Sequence, residues 1–258
     1  MNLLLIQGLI RDQRCWGDFP ERLRHHAPHL KTFSLDLPGI GTEFRRTSPD
    51  SVTAIRIDLA KRFHEKIKHG EFPTGPWMLF STGLGAMVAL DWTDAEPLLF
   101  KKLVLLNTSS RDVASPLERA NLVHSLKILR AVFSNRSENL ERRLLLSASN
   151  RFAGTDPRMQ ELLQRQTRYS KERPFSRLTL WRQVNAASAF TLARNKPTSK
   201  LLFLSSAADR LVSSECSVRL ADRFGAKHHS HPWAGHEVAI DDPEWLAKET
   251  ADWLENGR

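Results

Sequence analysis

Apolar and polar positions alternate along the chain in blocks of two kinds. Short apolar runs bounded by turn residues predict strands at 2–6, 31–37, 77–80, 101–107, 200–205 and 226–231. Amphipathic segments between them predict helices at 15–25, 51–69, 84–93, 214–224 and 243–255. Because strands and helices follow one another in turn, the pattern predicts an α/β fold with a mostly parallel sheet.

The alternation breaks once, over residues 112–198. This stretch shows helical periodicity at 122–133, 140–148, 159–169 and 178–192 and contains no convincing strand. We therefore expect a core formed by 1–111 and 199–258, with 112–198 inserted as a helical cap over one end of the sheet. The apolar stripes of these helices are interpreted as packing surfaces, not as a cofactor site.

The chain of 258 residues has a net charge of +9, and its location matters more than its size. Residues 112–198 contain 16 Lys and Arg against 7 Asp and Glu, whereas the remainder has 22 of each. The basic excess therefore belongs to the predicted cap. A solvated surface explains it without a partner, and no recognition motif accompanies it, so nucleic acid is not expected.

Two further features bear on the compartment of the protein. The longest apolar runs are far shorter than the roughly 20 residues of a bilayer span, and the first residues lack the basic start of a signal peptide. Cys15 and Cys216 are too few for a disulfide framework or a metal cluster and are expected to be reduced thiols. We expect a cytoplasmic protein that does not act at a membrane.

Chemistry in parallel α/β sheets is expected where strands end and helices begin. Four such turns contain glycine and polar residues: Gln-Gly-Leu-Ile-Arg-Asp at 7–12, Asp-Leu-Pro-Gly-Ile-Gly at 36–41, Ser-Thr-Gly-Leu-Gly at 81–85, and Trp-Ala-Gly-His at 233–236. A further segment, Ser-Ser-Ala-Ala-Asp-Arg-Leu-Val at 205–212, follows a predicted strand with an acidic residue.

In this order the segments resemble the α/β-hydrolase superfamily over nearly the whole chain. They match an oxyanion loop, a structural turn at 36–41, a nucleophile elbow, an inserted cap, an acid and a Gly-His pair. The resemblance implies an α/β-hydrolase fold in a compact member whose sheet begins at the strand that feeds the oxyanion loop. It implies no cofactor and no metal.

The elbow departs from the family pattern at the nucleophile position. Aligning the elbow places Gly83 where the family has its serine, and glycine has no oxygen to attack a carbonyl. The alternative is an ordinary turn glycine in a non-catalytic protein. Ser81, Thr82 and Cys15 are nearby residues that could carry a nucleophile instead, but all three are expected to be structural. The sequence leaves open whether Gly83 is natural or an introduced substitution.

The resemblance assigns the other members of the site. Asp209 and His236 match the acid and base of the triad, and the backbone N–H groups of Leu9 and Leu84 match the oxyanion hole. The alternatives are a helix cap or ion pair for Asp209 and a structural role for His236. A metal site at the histidines of 228–231 is not expected, because no carboxylate at ligand spacing accompanies them.

Together these features imply a carboxylic-ester-type hydrolase scaffold acting on an unidentified acyl or ester compound. Catalysis is expected to be impaired or lost because Gly83 replaces the serine. The alternative is a non-catalytic binding protein that kept the pocket for a small acyl ligand. The basic cap suits an anionic, carrier-linked ligand of the kind that some relatives hydrolyse.

Overall fold

The computed structural model describes residues 1–133, 137–151, 156–192 and 196–256. Its centre is a six-stranded, entirely parallel sheet in the order β2-β1-β3-β4-β5-β6. The strands are β1 Asn2–Ile6, β2 Lys31–Ser34, β3 Trp77–Thr82, β4 Phe100–Leu106, β5 Lys200–Ser206 and β6 Lys227–His231. All six predicted strands are therefore present, and the predicted fold class is confirmed.

Helices cover both faces of the sheet. Those of the core are α1 Phe19–His26, α2 Val52–Lys68, α3 Gly83–Ala95, α9 Glu215–Phe224, α10 Val238–Asp241 and α11 Pro243–Asn256. Between β4 and β5 lie α4 Pro116–Arg119, α5 Leu122–Phe133, α6 Ser137–Ala148, α7 Pro157–Glu172 and α8 Arg177–Ala189. We call residues 112–198 the helical insert; its described part contains no strand.

The four central strands β1, β3, β4 and β5 are largely apolar because both faces of the sheet are buried there, whereas the edge strands β2 and β6 are polar and more exposed. Leu4 and Ile6 of β1 pack in the cluster that contains α2, α3 and α9, whereas Leu3 and Leu5 pack against α1 and α11. Parallel sheets covered on both sides have such continuous apolar strands. This arrangement leaves the strand ends as the places where polar side chains can gather.

The predicted helix at 15–25 was wrong in its extent. A 3₁₀ turn at Gln13–Trp16 is followed by a break, and α1 begins only at Phe19. Gly17 has a φ of +52°, a left-handed conformation that glycine adopts without steric cost. The break lets the chain turn after the loop that leaves β1.

Two short helices, α4 and α10, were not predicted. Helix α4 is a single turn that begins with a capping box, in which Ser115 accepts from the Glu118 backbone and Glu118 accepts from the Ser115 backbone.

Among the described residues, no helix is long and apolar enough to cross a membrane.

The helical insert lies against loops at the carboxyl ends of the strands. Gln183 of α8 accepts from the Ile10 backbone after β1 and donates to the Pro38 carbonyl after β2. Asn150, after α6, donates to the carbonyls of Ala208 and Trp233, beyond β5 and β6. Two points of the insert are therefore hydrogen-bonded to loops that follow β1, β2, β5 and β6.

Candidate active site

The turn from β3 to α3 is sharp and depends on two glycines. Gly83 has a φ of +52°, where a side chain costs about 1–3 kcal/mol of strain. At Gly85 a Cβ atom would come within 2.5 Å of the Gln7 carbonyl oxygen and 2.8 Å of the Ile6 carbonyl oxygen. Gly85 thus lets α3 pack against the end of β1, and Gly83 occupies the tip of the turn.

The loop after β1 lies directly beside this tip. A Cβ atom at Gly8 would be 3.2 Å from the Thr82 carbonyl oxygen and 3.8 Å from Gly83 Cα. The N–H of Leu84 belongs to the first turn of α3, where helical N–H groups have no partner within the helix. Leu9 and Leu84, the residues predicted to supply the oxyanion donors, each directly follow one of these two facing glycines.

Asp209 and His236 are in hydrogen-bond contact, 27 positions apart in the chain. His236 Nδ1 lies 2.7 Å from Asp209 Oδ2. The other oxygen, Asp209 Oδ1, accepts from the backbone N–H groups of Leu211 at 2.7 Å and Val212 at 3.1 Å. These bonds fix the carboxylate, whose side chain is only 1% exposed against 19% for the imidazole.

The surroundings of His236 determine both its charge and its tautomer. Burial lowers the pKa of His236, but the charge of Asp209, its hydrogen bond and the charge of Glu237 raise it more, against a smaller lowering by Arg11. The net effect is a pKa above the usual 6.5. Because an ionised carboxylate only accepts hydrogen bonds, neutral His236 carries its proton on Nδ1 and presents a lone pair on Nε2.

This Nε2 atom faces the tip of the elbow. A Cβ atom at Gly83 would be 3.8 Å from His236 Nε2 and 3.8 Å from Gly8 Cα, with no closer neighbour outside its adjoining residues. A hydroxyl oxygen, one bond further out, would reach hydrogen-bond distance of Nε2. The structure therefore brings Gly83, Asp209 and His236 together.

The three substitute nucleophiles do not meet the imidazole. Ser81 is fully buried in β3, Thr82 is 7% exposed, and neither hydroxyl is hydrogen-bonded to His236 in the described ranges. Cys15 is buried against Gln166 of α7, and burial raises the pKa of its thiol to about 12. A thiol with so high a pKa is unreactive, which supports its interpretation as structural.

The histidines of β6 have separate partners. His228 contacts the hydroxyl of Ser205, His229 contacts Glu249, and His231 contacts Asp242. His229 and His231 therefore each pair with a different carboxylate, and the partners do not converge on one point. Over the described residues, no group of three or more His, Cys, Asp or Glu side chains could hold a metal ion.

The loop at 232–237, which joins β6 to α10 and contains His236, is called the histidine loop. Asn107 holds this loop and was missed by sequence analysis. Its amide donates to the His236 carbonyl at 2.9 Å and to the Ser206 hydroxyl at 3.2 Å, and its side-chain oxygen accepts from the Ser206 backbone at 3.0 Å. It has a φ of +46° and directly follows β4. Its position at a strand end was the signal that could have identified it.

Asp241 supports the same loop from the other side. It accepts from the Gly235 backbone at 2.6 Å and from the Ser149 hydroxyl at 2.5 Å, which joins the histidine loop to the end of α6.

Asp36 has an equivalent role after β2, where it accepts from Gln13 and Thr42. The structural interpretation of the turn at 36–41 agrees with these bonds.

A buried charge cluster next to the site was also missed. Arg11, two residues after Leu9, pairs with Glu141 of α6 at 2.9 Å and with Glu237, next to His236, at 3.1 Å. Glu141 also accepts a hydrogen bond from the Ser170 hydroxyl of α7. The cluster therefore joins the loop after β1, the histidine loop and two helices of the insert.

The parallel sheet, the glycine elbow and the Asp209–His236 pair together define an α/β-hydrolase. The family model described as Hydrolase_4, serine aminopeptidase S33, matches residues 2–242, and the chain belongs to this family. A comparison with curated proteins found no significant match.

Several solved structures share the fold at low sequence identity. A thermophilic esterase from Thermogutta terrifontis, solved with malate bound, has a TM-score of 0.72 and 17% identity over 100% of this chain and 90% of its own. A hydrolase from Pseudomonas aeruginosa has a TM-score of 0.73 and 16% identity over 98% and 89%. A hydrolase from Oleispira antarctica has a TM-score of 0.74 and 14% identity over 99% and 91%.

Proposed function

We propose that the protein binds a small carboxylic ester or related acyl compound at the Gly83 elbow, and that it has lost the covalent step of ester hydrolysis. The observation that supports this most directly is the 3.8 Å distance from a Cβ atom at Gly83 to His236 Nε2. The base stands where a serine would need it, and only the serine oxygen is lacking.

The remaining groups favour an acyl ligand. In this proposal the N–H groups of Leu9 and Leu84 bind the carbonyl oxygen, which backbone donors do regardless of the side chains they carry. His236 faces the carbonyl carbon from the other side, with Asp209 fixing its orientation. The relatives described as esterases and hydrolases are consistent with an ester or acyl ligand.

Loss of the covalent step follows from the chemistry of glycine. An acyl-enzyme requires a side-chain oxygen or sulfur that forms a bond to the carbonyl carbon. Gly83 has no such atom, and Cys15 is a buried thiol with a raised pKa. Removal of a triad nucleophile leaves about 10³–10⁴ of acceleration over water from binding and the oxyanion hole.

A non-catalytic binding protein is the second candidate. It is favoured by Gly83 itself, because glycine relieves the strain of the left-handed turn that a serine would impose. In either case we propose that the helical insert attracts anionic or carrier-linked forms of the ligand, because it contains 16 Lys and Arg but only 7 Asp and Glu.

Labelling with an alkyl fluorophosphonate tests the organisation of the pocket. In Gly83→Ser, we expect the new Oγ to attack phosphorus, the P–F bond to break and His236 to take the proton, which gives a covalent adduct detected by intact mass. The wild type and Gly83→Ser/His236→Ala should remain unlabelled under the same conditions. A folded Gly83→Ser that is not labelled would show that the pocket is not that of a serine hydrolase.

A further inference from the structure

Two glycines face each other at the tip of the elbow and leave room beside the base. Apart from the adjoining residues and the first turn of α3, the described residues place Gly8 Cα and His236 Nε2 within 4 Å of a Cβ atom at Gly83, both at 3.8 Å, and Gly8 contributes no side chain there. A single added heavy atom at the Cβ position would meet these two groups in ordinary van der Waals contact, and a water oxygen is one such atom. The imidazole beside it is 19% exposed, so solvent reaches this part of the site.

The polar groups beside this space suit a water molecule that acts as a nucleophile. His236 Nδ1 is committed to Asp209 Oδ2 at 2.7 Å, so neutral His236 presents the Nε2 lone pair as an acceptor. Leu9 and Leu84 follow the two glycines beside this space, Gly8 and Gly83, and their N–H groups are the donors that the proposed acyl pocket assigns to it. The base thus lies beside the same space as the residues proposed to supply the oxyanion donors.

We propose that His236 activates a water molecule at the position of the missing Gly83 side chain, and that this water attacks the bound ester directly. The proposal rests on the acyl pocket proposed above and adds a route that needs no serine. The protein would then be a slow, non-covalent ester hydrolase.

The step balances without any further reactant. The water oxygen forms a bond to the carbonyl carbon while His236 Nε2 takes its proton, and the carbonyl oxygen becomes an oxyanion held by Leu9 and Leu84. The C–O bond to the alcohol then breaks, and the leaving oxygen takes the proton back from the imidazolium. The products are the carboxylic acid and the alcohol.

Three charged groups set the pH range of this route. Burial is the largest single influence on the pKa of His236 and lowers it, but Asp209 and Glu237 together raise it more, and Arg11 lowers it to a smaller extent. Because the base must be neutral, hydrolysis is expected to rise with pH through a value above 6.5. A route through surface amines would lack this dependence on His236.

The test compares p-nitrophenyl acetate hydrolysis by the wild type, His236→Ala, Gly83→Ala and Gly83→Ala/His236→Ala, purified identically. General-base catalysis by a positioned histidine is worth about 10²–10⁴, so His236→Ala should lose about that factor. Gly83→Ala fills the water position and should fall to the same level, and the double variant should fall no further. The wild type should show no burst of p-nitrophenol and no acyl adduct by mass.

Each other outcome has a definite meaning. Wild-type hydrolysis equal to that of His236→Ala, unchanged hydrolysis in a folded Gly83→Ala, or an acyl adduct on the wild type would each overturn direct water attack. If Gly83→Ala does not fold, the wild-type to His236→Ala ratio, the burst and the pH profile still decide. Labelling of Gly83→Ser by fluorophosphonate, in the absence of wild-type hydrolysis, would refute the water route and retain the acyl pocket.

Discussion

Arg11 Nη1 lies 2.9 Å from Glu141 Oε2, an ion pair that joins the loop beside the elbow to helix α6 of the insert. Both side chains are more than nine-tenths buried, at 7% and 3% exposure. Buried charges depend on their partners, because the cost of removing them from water is otherwise not offset. Each of these two charges therefore needs the other for its burial.

Substitution of Arg11 should destabilise the whole protein. Arg11→Ala leaves the carboxylates of Glu141 and Glu237 buried without their cation, and loss of one partner of a buried pair costs about 3–5 kcal/mol. Urea unfolding would measure this change. Lys248→Ala, which breaks an exposed pair with Asp252, is the control and should leave the midpoint nearly unchanged. Equal effects from both substitutions would contradict the structural role of Arg11.

The Asp209–His236 pair should make stability depend on pH. The pKa of His236 is raised in the folded protein, so its contribution is fully present below the unfolded value of about 6.5. That contribution is lost as pH rises through the higher folded pKa. Denaturant unfolding between about pH 5.5 and 9 should show the wild type losing its advantage over His236→Ala in this direction. A stability difference that grows with pH would mean that the pKa of His236 is lowered instead.

Glycine substitutions in the elbow should differ in their cost. Gly83→Ala introduces strain at a φ of +52°, worth about 1–3 kcal/mol, but its Cβ meets nothing nearer than 3.8 Å. Gly85→Ala places a Cβ 2.5 Å from a backbone oxygen of β1 and forces α3 away from the sheet. Thermal or urea unfolding should therefore rank Gly85→Ala as the more damaging change. The opposite order would show that the elbow is built differently.

The basic insert should act on the rate of association. Electrostatic attraction weakens as the Debye length falls from about 30 Å at 0.01 M salt to about 3 Å at 1 M. Stopped-flow binding of an anionic acyl ligand should slow with added salt, and more so for the wild type than for Arg142→Glu/Arg165→Glu, two exposed sites on α6 and α7. A neutral acyl ligand serves as the control. If an anionic ligand binds at the same rate at low and high salt, the charges of the insert have no role in binding and are only solvated surface.

The sequence predicted the parts of the site that depend on local backbone geometry. Gly83, Asp209 and His236 each follow a predicted strand or precede a predicted helix, and turn residues at strand ends carry a strong local signal. The short apolar runs predicted the strands of the sheet because they too are a strong local signal. The break at Gly17 was missed because the periodicity continues across it, although a glycine followed by Asp18 and Pro20 is a turn signal.

The supporting network was beyond the reach of sequence reasoning. Arg11 lies 130 positions from Glu141 and 226 from Glu237, and no spacing rule joins such partners. Arg11 and Glu141 look like ordinary surface charges until tertiary packing buries them. The only sequence signal at Asn107 was its position at the end of a strand. Asparagine is also common in ordinary turns, so this signal did not show that its side chain supports the site.

The groups around Gly83 are proposed to remain organised for ester chemistry, and turnover by Gly83→Ser tests this most directly. The new hydroxyl should meet His236 Nε2 and open an acyl-enzyme route, since the base is already placed at the required distance. Short p-nitrophenyl esters provide the assay, with Gly83→Ser/His236→Ala as the matched variant. We predict hydrolysis at least about 10²-fold faster than in the double variant, with a burst. A folded Gly83→Ser that hydrolyses no ester faster than the double variant would contradict the account.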